Sequence, residues 1–295
     1  MQSFAERIAG GGRLVCDGAM GTMLQARGLP AGSCPELWNI EHPDIIGAIH
    51  CEYRAAGSAL VETNSFGGTH YKLAHFGLDD KVKELNRAAA SLARAVAGDT
   101  QYVLGSMGPT GEFIEPLGDA TEAEVEAAFA AQAAALAEGG ADVLIIETMT
   151  ALEEAQAALR AALATGLPVI ASMTFDRQVS GGYATMMGIT PEVFVRKISE
   201  AGATVAGANC GTGAADMINV LREMNAAVPD FPLLAMPNAG MPVLENGETV
   251  FKETAQQMAE LVDGLLNAGA VVIGGCCGTG PDHIRAIGEI MRRAQ

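Results

Sequence analysis

Residues 139–173, GGADVLIIETMTALEEAQAALRAALATGLPVIASM, decide the fold. A short apolar run, Asp142–Ile146, ends in Glu147-Thr148 and is followed by Leu152–Ala164, an Ala-rich segment of helical period. Gly166 falls where that helix must stop, and a second apolar run, Val169–Met173, begins at once. The stretch is one strand–helix–strand unit. Outward from it, similar runs recur at Arg13–Cys16, Ala59–Glu62, Tyr102–Gly105, Thr204–Ala208, Leu233–Met236 and Val271–Ile273, mostly about 30 to 45 residues apart.

Eight such units, evenly spaced, predict a (β/α)8 TIM barrel rather than an open doubly wound sheet. The open sheet needs a glycine fingerprint after its first strand, and Asp17-Gly18-Ala19-Met20-Gly21 matches that poorly. Helices are predicted over Thr121–Glu138, Glu192–Ala201, Ala215–Ala226 and Thr254–Asn267, with Gly139-Gly140, Gly202 and Gly269 at their ends. Gly28–Asp44 and Gly108–Asp119 read as long loops over the catalytic rim. With 295 residues, 49% of them hydrophobic, the chain is expected to be a single domain over 1–295.

A formal net charge of −17 argues against nucleic acid or anionic membranes as partners. No apolar run approaches the roughly 18 residues of a membrane span, and Met1–Gly12 lacks a signal-peptide core, so a cytoplasmic location is expected. In that compartment six cysteines read as free thiols or metal ligands rather than as disulfides.

Barrel enzymes take their chemistry from the C-terminal strand ends. Here those ends read Cys16-Asp17-Gly18, Glu62-Thr63-Asn64, Ser106-Met107-Gly108, Glu147-Thr148, Thr174-Phe175-Asp176, Asn209-Cys210, Pro237-Asn238 and Cys276-Cys277. Cys210 and Cys276 are separated by 66 positions, a spacing that no zinc-finger pattern covers, so the fold alone brings them together. Three thiolates on one rim make a zinc site with an open fourth position. Adjacent strand residues point to opposite faces, so Cys276 and Cys277 can share an ion only if the pleat breaks, which Gly274, Gly275, Gly278 and Gly280 permit.

Single cysteines ordinarily serve as small hydrophobes, which fits Cys51 in a predicted helix and Cys16, while Cys34 lies in a polar loop. A phosphate site at the last strand would want basic neighbours and has no use for two thiols. None of the five lysines or five histidines falls on a strand end, which argues against Schiff-base chemistry and a His-rich metal site. Glu147 needs a partner on a buried rim, either a substrate ammonium or an arginine. Asp17 is open to two readings, a site acid or an ordinary Asp-Gly turn, and the Gly18 and Ala19 amides offer a seat for a carboxylate.

Asp17-Gly18-Ala19-Met20-Gly21-Thr22, Glu62-Thr63-Asn64, Asn209-Cys210 and Gly274-Gly275-Cys276-Cys277-Gly278, in that order over nearly the whole chain, resemble the motifs of the homocysteine S-methyltransferase family. Gly108-Pro109-Thr110 and Pro237-Asn238-Ala239-Gly240 are similar to the homocysteine-binding barrel of its cobalamin-dependent methionine synthase branch; the stretch Gly67–Leu78 is not. The resemblance implies a barrel in which Cys210, Cys276 and Cys277 hold catalytic zinc. It further implies that Glu147 binds the homocysteine amino group, that Asp17, Gly18 and Ala19 lie near its amino-acid end, and that Asn238 is a displaceable fourth ligand. The expected activity is methyl transfer to homocysteine, forming methionine, with methylcobalamin supplied on a separate corrinoid protein. S-methylmethionine or a betaine-like cation is the alternative donor, and an accessory barrel without turnover is the alternative role.

Overall fold

The computed structural model describes residues 2–245 and 248–293, so the outermost ends of the expected 1–295 domain lie outside it. All eight predicted strands form: β1 (Leu14–Val15), β2 (Leu60–Glu62), β3 (Tyr102–Met107), β4 (Val143–Met149), β5 (Val169–Met173), β6 (Val205–Gly213), β7 (Leu233–Asn238) and β8 (Ala270–Ile273). They pair in parallel in the order β1-β8-β7-β6-β5-β4-β3-β2. Helices follow them in turn: α1 (Pro43–Ala56), α2 (Val82–Ala97), α3 (Glu122–Gly139), α4 (Leu152–Leu163), α5 (Pro191–Glu200), α6 (Ala214–Ala227), α7 (Ala255–Asn267) and α8 (Pro281–Arg293). The result is the expected (β/α)8 barrel. No helix among the described residues is long and apolar enough to cross a membrane.

The ring closes at a thin seam between β1 and β2. The Val15 carbonyl accepts the Ala59 N–H at 2.7 Å, and further along the seam the Asp17 carboxylate, through Oδ2, accepts the Glu62 N–H at 2.8 Å. A two-residue β1 runs out of backbone before β2 does, and a side chain supplies the missing acceptor. Helix ends follow local chemistry. Thr121 caps α3 reciprocally with Glu124, and Gly140 stops that helix at φ 106°, a conformation that costs a residue without Cβ little.

The core explains where the site sits. Along each strand, alternate residues point into the barrel. Leu60, Leu104, Val143, Ile145, Ile170, Val205, Leu234 and Val272 form one apolar cluster, with Phe4 and Ile8 of the Phe4–Ala9 helix packed against it. Their strand neighbours, among them Val61, Val103, Leu144, Ala171 and Ala235, pack with the helices in the larger outer core. Counting on by twos from the inward set reaches Glu62, Ser106, Glu147, Ser172, Asn209 and Asn238. Six of the eight strand columns therefore change from apolar to polar toward their C-terminal ends.

Four strands run past their predicted ends: β3 to Met107, β7 to Asn238, β4 through Glu147 to Met149 and β6 through Cys210 to Gly213. The last two show a register irregularity there, between Ile146 and Met149 and between Asn209 and Gly213. At Gly207, opposite Leu234, an added Cβ would lie 2.3 Å from the Leu234 carbonyl oxygen. Gly207→Ala is therefore expected to lower unfolding free energy by about 1–3 kcal/mol in urea titrations. Gly47→Ala, in α1 where a Cβ meets nothing within 4 Å, should be neutral or mildly stabilising.

Candidate active site

At the C-terminal mouth of the barrel is a cavity of about 280 Å3 whose wall includes Gly18, Glu36, Glu62, Phe66, Ser106, Glu147, Thr148, Cys210, Cys276 and Cys277. No lysine, arginine or histidine is among its lining residues. The three predicted thiols converge here. The sulfurs of Cys210, Cys276 and Cys277 all lie within 4.8 Å of one another, with Cys210 and Cys277 4.0 Å apart. A tetrahedral ion with Zn–S bonds of about 2.3 Å sets its sulfurs roughly 3.8 Å apart, so the triad fits zinc with small adjustment. The side chain of Asn238, at the end of β7, donates to Cys210, and its buried Oδ1 has no hydrogen-bond partner. A free acceptor beside three thiols is what an electropositive ion would use.

The thiols interact strongly without an ion. Hydrogen bonds from Cys276 and then Cys277 hold the Cys210 thiol well below its ordinary range. Bonding to Cys210 in turn pushes Cys276 far up and Cys277 up to about 11. Such a cluster sheds one proton readily and resists losing the others unless a cation joins it.

The route by which Cys276 and Cys277 meet differs from the expected distorted strand. β8 ends at Ile273, and both cysteines lie in the turn beyond it, where pleat alternation no longer applies. The turn is pinned by backbone bonds: Cys276 N–H to the Pro237 carbonyl at 2.8 Å, Ala239 N–H to the Cys277 carbonyl at 3.0 Å, and Thr279 N–H to the Cys276 carbonyl at 3.0 Å. Gly278 takes φ 81°, and a Cβ on Gly275 would sit 2.3 Å from the Thr279 Oγ1. Cys210 instead remains in its strand at φ 59°, as does Thr148 in β4. A non-glycine residue in this region costs about 1–3 kcal/mol, and a β-branched one is especially rare there.

Glu147 is buried and meets neutral donors rather than the arginine that was one of its two expected partners. Ser106 Oγ donates to its Oε1 at 2.5 Å, and Asn209 Nδ2 donates to its Oε2 at 3.2 Å. Glu62 stands beside it, its pKa raised well above the ordinary value by burial first and by the Glu147 charge second. Asp17 is buried too and pushed up to about 7, again mainly by desolvation.

Other predicted positions are placed differently. Asp17 does not line the cavity: its carboxylate accepts the Glu62 N–H and the Cys16 thiol. Gly18 and Ala19 do line it, but the Ala19 N–H is already bonded to Thr279 through its carbonyl and Oγ1, each at 3.2 Å. Cys51 is exposed on α1 rather than packed, and Cys34, expected in a polar loop without a partner, is buried and donates to Glu36 Oε2 at 3.2 Å. Glu36 also accepts the Gly67 N–H at 2.7 Å, clamping the long loop after β1 over the cavity. The Gly108–Asp119 loop lines a neighbouring cavity instead. Glu62, Ser106 and Asn209 were visible as strand ends but not assigned roles; counting by twos from Glu147 and its counterparts identifies them.

Comparison with known proteins agrees with this geometry. A family model described as homocysteine S-methyltransferase matches residues 14–291. The chain is 33% identical to a methionine synthase of Mycobacterium leprae (strain TN) over 99% of its own length and 25% of that protein's. With a methionine synthase of Mycobacterium tuberculosis (strain ATCC 25618 / H37Rv) the identity is 34% over 93% of this chain and 24% of the other. The chain thus spans about a quarter of the length of these curated relatives. Among solved structures, the oxidized form of the homocysteine methyltransferase MmuM from Escherichia coli superposes with a TM-score of 0.76 at 27% identity, covering 94% of this chain and 95% of that one. The metallated form of that protein matches with a TM-score of 0.76 at 26% identity over 93% and 95%.

The buried acids set a pH dependence. Asp17 in the folded protein keeps its proton up to about pH 7, whereas its ordinary value is 3.8, and Glu62 shifts the same way. Between those limits these two carboxyls bind more protons in the folded state than in the unfolded chain, so their contribution to stability falls as pH rises, while the lowered Cys210 thiol and His50 imidazole contribute slopes of the opposite sign. The Asp17 contribution to the melting temperature of metal-free protein should therefore be lost between about pH 4 and pH 7. Asp17→Asn, which still offers an oxygen to the Glu62 N–H, should flatten that slope in thermal melts followed by circular dichroism.

Proposed function

Because the chain belongs to the homocysteine S-methyltransferase family, we propose that it transfers a methyl group to the sulfur of homocysteine, forming methionine. The observation that carries this reading is the placement of three mutually close thiols and a buried, base-free carboxylate on the wall of one small cavity. Cys210, Cys276 and Cys277 would hold zinc, with Asn238 Oδ1 positioned to complete the set until substrate arrives. When bound, zinc supplies Lewis acidity that keeps a substrate sulfur deprotonated near neutral pH, well below the ordinary thiol pKa of about 8.5.

The chain's own residues do the rest. Glu147, oriented by Ser106 and Asn209, receives the substrate ammonium, and that positive charge makes it easier for the nearby, proton-bearing Glu62 and Asp17 to ionise. An ammonium entering this site supplies the counter-charge that the buried acids lack. With the substrate sulfur at the thiol end of the cavity and its ammonium at Glu147, alignment of sulfur, methyl and leaving group would be the main catalytic contribution. The new S–C bond forms as the methyl carbon leaves the donor, whose bonding pair stays with the leaving group.

For the donor, we favour methylcobalamin held by a corrinoid-binding protein or domain, a reading supported by the higher identity to the methionine synthases, 33–34% against 26–27%. A small cationic donor such as S-methylmethionine is the second reading. It is favoured by the end-to-end match with MmuM, 94% of this chain on 95% of that one, and by a cavity lined with acids and no bases.

Zinc-loaded protein given homocysteine with methylcobalamin, S-methylmethionine or glycine betaine separately should yield methionine from one of the first two; no methionine from any donor overturns the proposal. Cys210→Ala and Cys276→Ala should lose bound zinc and activity together, measured by metal analysis beside turnover. Glu147→Gln should keep zinc but weaken homocysteine binding by about 10- to 100-fold, the cost of one charge-assisted hydrogen bond.

A further inference from the structure

Asn209 is completely buried, and its side chain meets three other parts of the rim. Oδ1 accepts from the Thr148 N–H at 2.8 Å and from Ser172 Oγ at 2.7 Å. Nδ2 donates to Thr148 Oγ1 at 2.7 Å and Glu147 Oε2 at 3.2 Å, and it lies 4.0 Å from Cys276 Sγ. One amide thus joins β4, β5 and the turn after β8 to its own strand. It is also next in sequence to Cys210, and it bonds both backbone and side chain of Thr148, so it borders the two residues at φ 59°.

We propose that Asn209 is a positioning residue that sets the Glu147 carboxylate and the thiol triad relative to each other, so that metal binding and homocysteine binding depend on one strut. This rests on the function proposed above. The argument is one of donors and acceptors. Among the described residues Glu147 has no basic partner, and neutral groups hold its oxygens in place: Ser106, Asn209 and the proton-bearing Glu62. Ser106 reaches Glu147 alone among the two acceptors at issue, whereas the Asn209 amide also approaches a sulfur of the triad. An oxygen in place of Nδ2 would face a carboxylate and a thiolate with nothing to donate. Groups that orient ligands from behind typically contribute about 10- to 100-fold to metal affinity.

The test compares Asn209→Asp, Asn209→Ser and Glu147→Gln with the native chain. Asn209→Asp keeps shape and the two bonds to Oδ1, and Asn209→Ser keeps polarity without reach, so failure of one to fold leaves the other. Zinc affinity is read by competition with a chromophoric chelator, and homocysteine affinity by calorimetry on zinc-loaded protein.

Glu147→Gln should weaken homocysteine alone, whereas each folded Asn209 variant should weaken both zinc and homocysteine by about 10- to 100-fold. In Asn209→Ser/Glu147→Gln the homocysteine loss should not exceed that of Glu147→Gln by more than twofold, because Asn209 acts on that ligand through Glu147. Folded Asn209 variants with both affinities within twofold of native, or homocysteine losses that simply multiply, would overturn the proposal. If the native chain binds neither zinc nor homocysteine, the function itself fails and this inference with it.

Discussion

A closed parallel barrel forces alternate residues of every strand inward at matching heights, and the rest of this molecule depends on that geometry. Below, the inward layers are Leu, Ile and Val, sealed underneath by Phe4 and Ile8. Above, the same columns carry Glu62, Ser106, Glu147, Ser172, Asn209 and Asn238. Polar groups placed there are desolvated by the barrel wall and must satisfy one another. Ser106 bonds Glu147, Ser172 bonds Asn209, and Asn209 bonds Glu147, so the polar layer is a connected network on an apolar plug.

That network is short of positive charge. Glu147 adds to the upward shifts of both Asp17 and Glu62, three thiols share the rim, and no basic residue is among the described residues lining the cavity. Burial against a hydrophobic plug lowers the local dielectric and magnifies every such interaction. The apoprotein meets this by keeping protons on Asp17 and Glu62 and by sharing charge unevenly among the thiols. Under the function proposed above, a divalent ion at the sulfurs and an ammonium at Glu147 would relieve both deficits.

Much of this was legible in the sequence because the apolar runs and glycine stops repeat at an even interval. The eight strands, the barrel and the convergence of Cys210 with Cys276 and Cys277 follow from counting units, since topology alone brings residues 66 positions apart onto one rim. Where a strand stops is less visible. β8 ends at Ile273 rather than bending through the cysteines, and the turn beyond it needs glycine at 275, where a Cβ would strike Thr279. The role of Asp17 was hidden for a different reason: it follows from β1 being only two residues long, which leaves the Glu62 N–H to be met by a side chain. The partner of Cys34 was not foreseen because Glu36 lies in the single 3-10 turn Pro35–Leu37, too short to carry a periodic signal.

Presenting two consecutive residues to one cavity contradicts the pleat, and the barrel solves the problem in two ways. At Glu147-Thr148 and Asn209-Cys210 the second residue turns to φ 59°, so both a carboxylate and its neighbour, or a sulfur and the amide beside it, serve the same site. At Cys276-Cys277 the strand has already ended, and backbone bonds from the turn to Pro237 and Ala239 fix the pair instead. The first solution stores backbone strain, which persists only where the surroundings over-determine it. Here the two reversed residues are on strands separated by β5, and the Asn209 side chain spans that gap to bond Thr148 twice. The strain at Thr148 is thus held by the residue that precedes the strained Cys210, which ties the geometry of the carboxylate to that of the sulfurs.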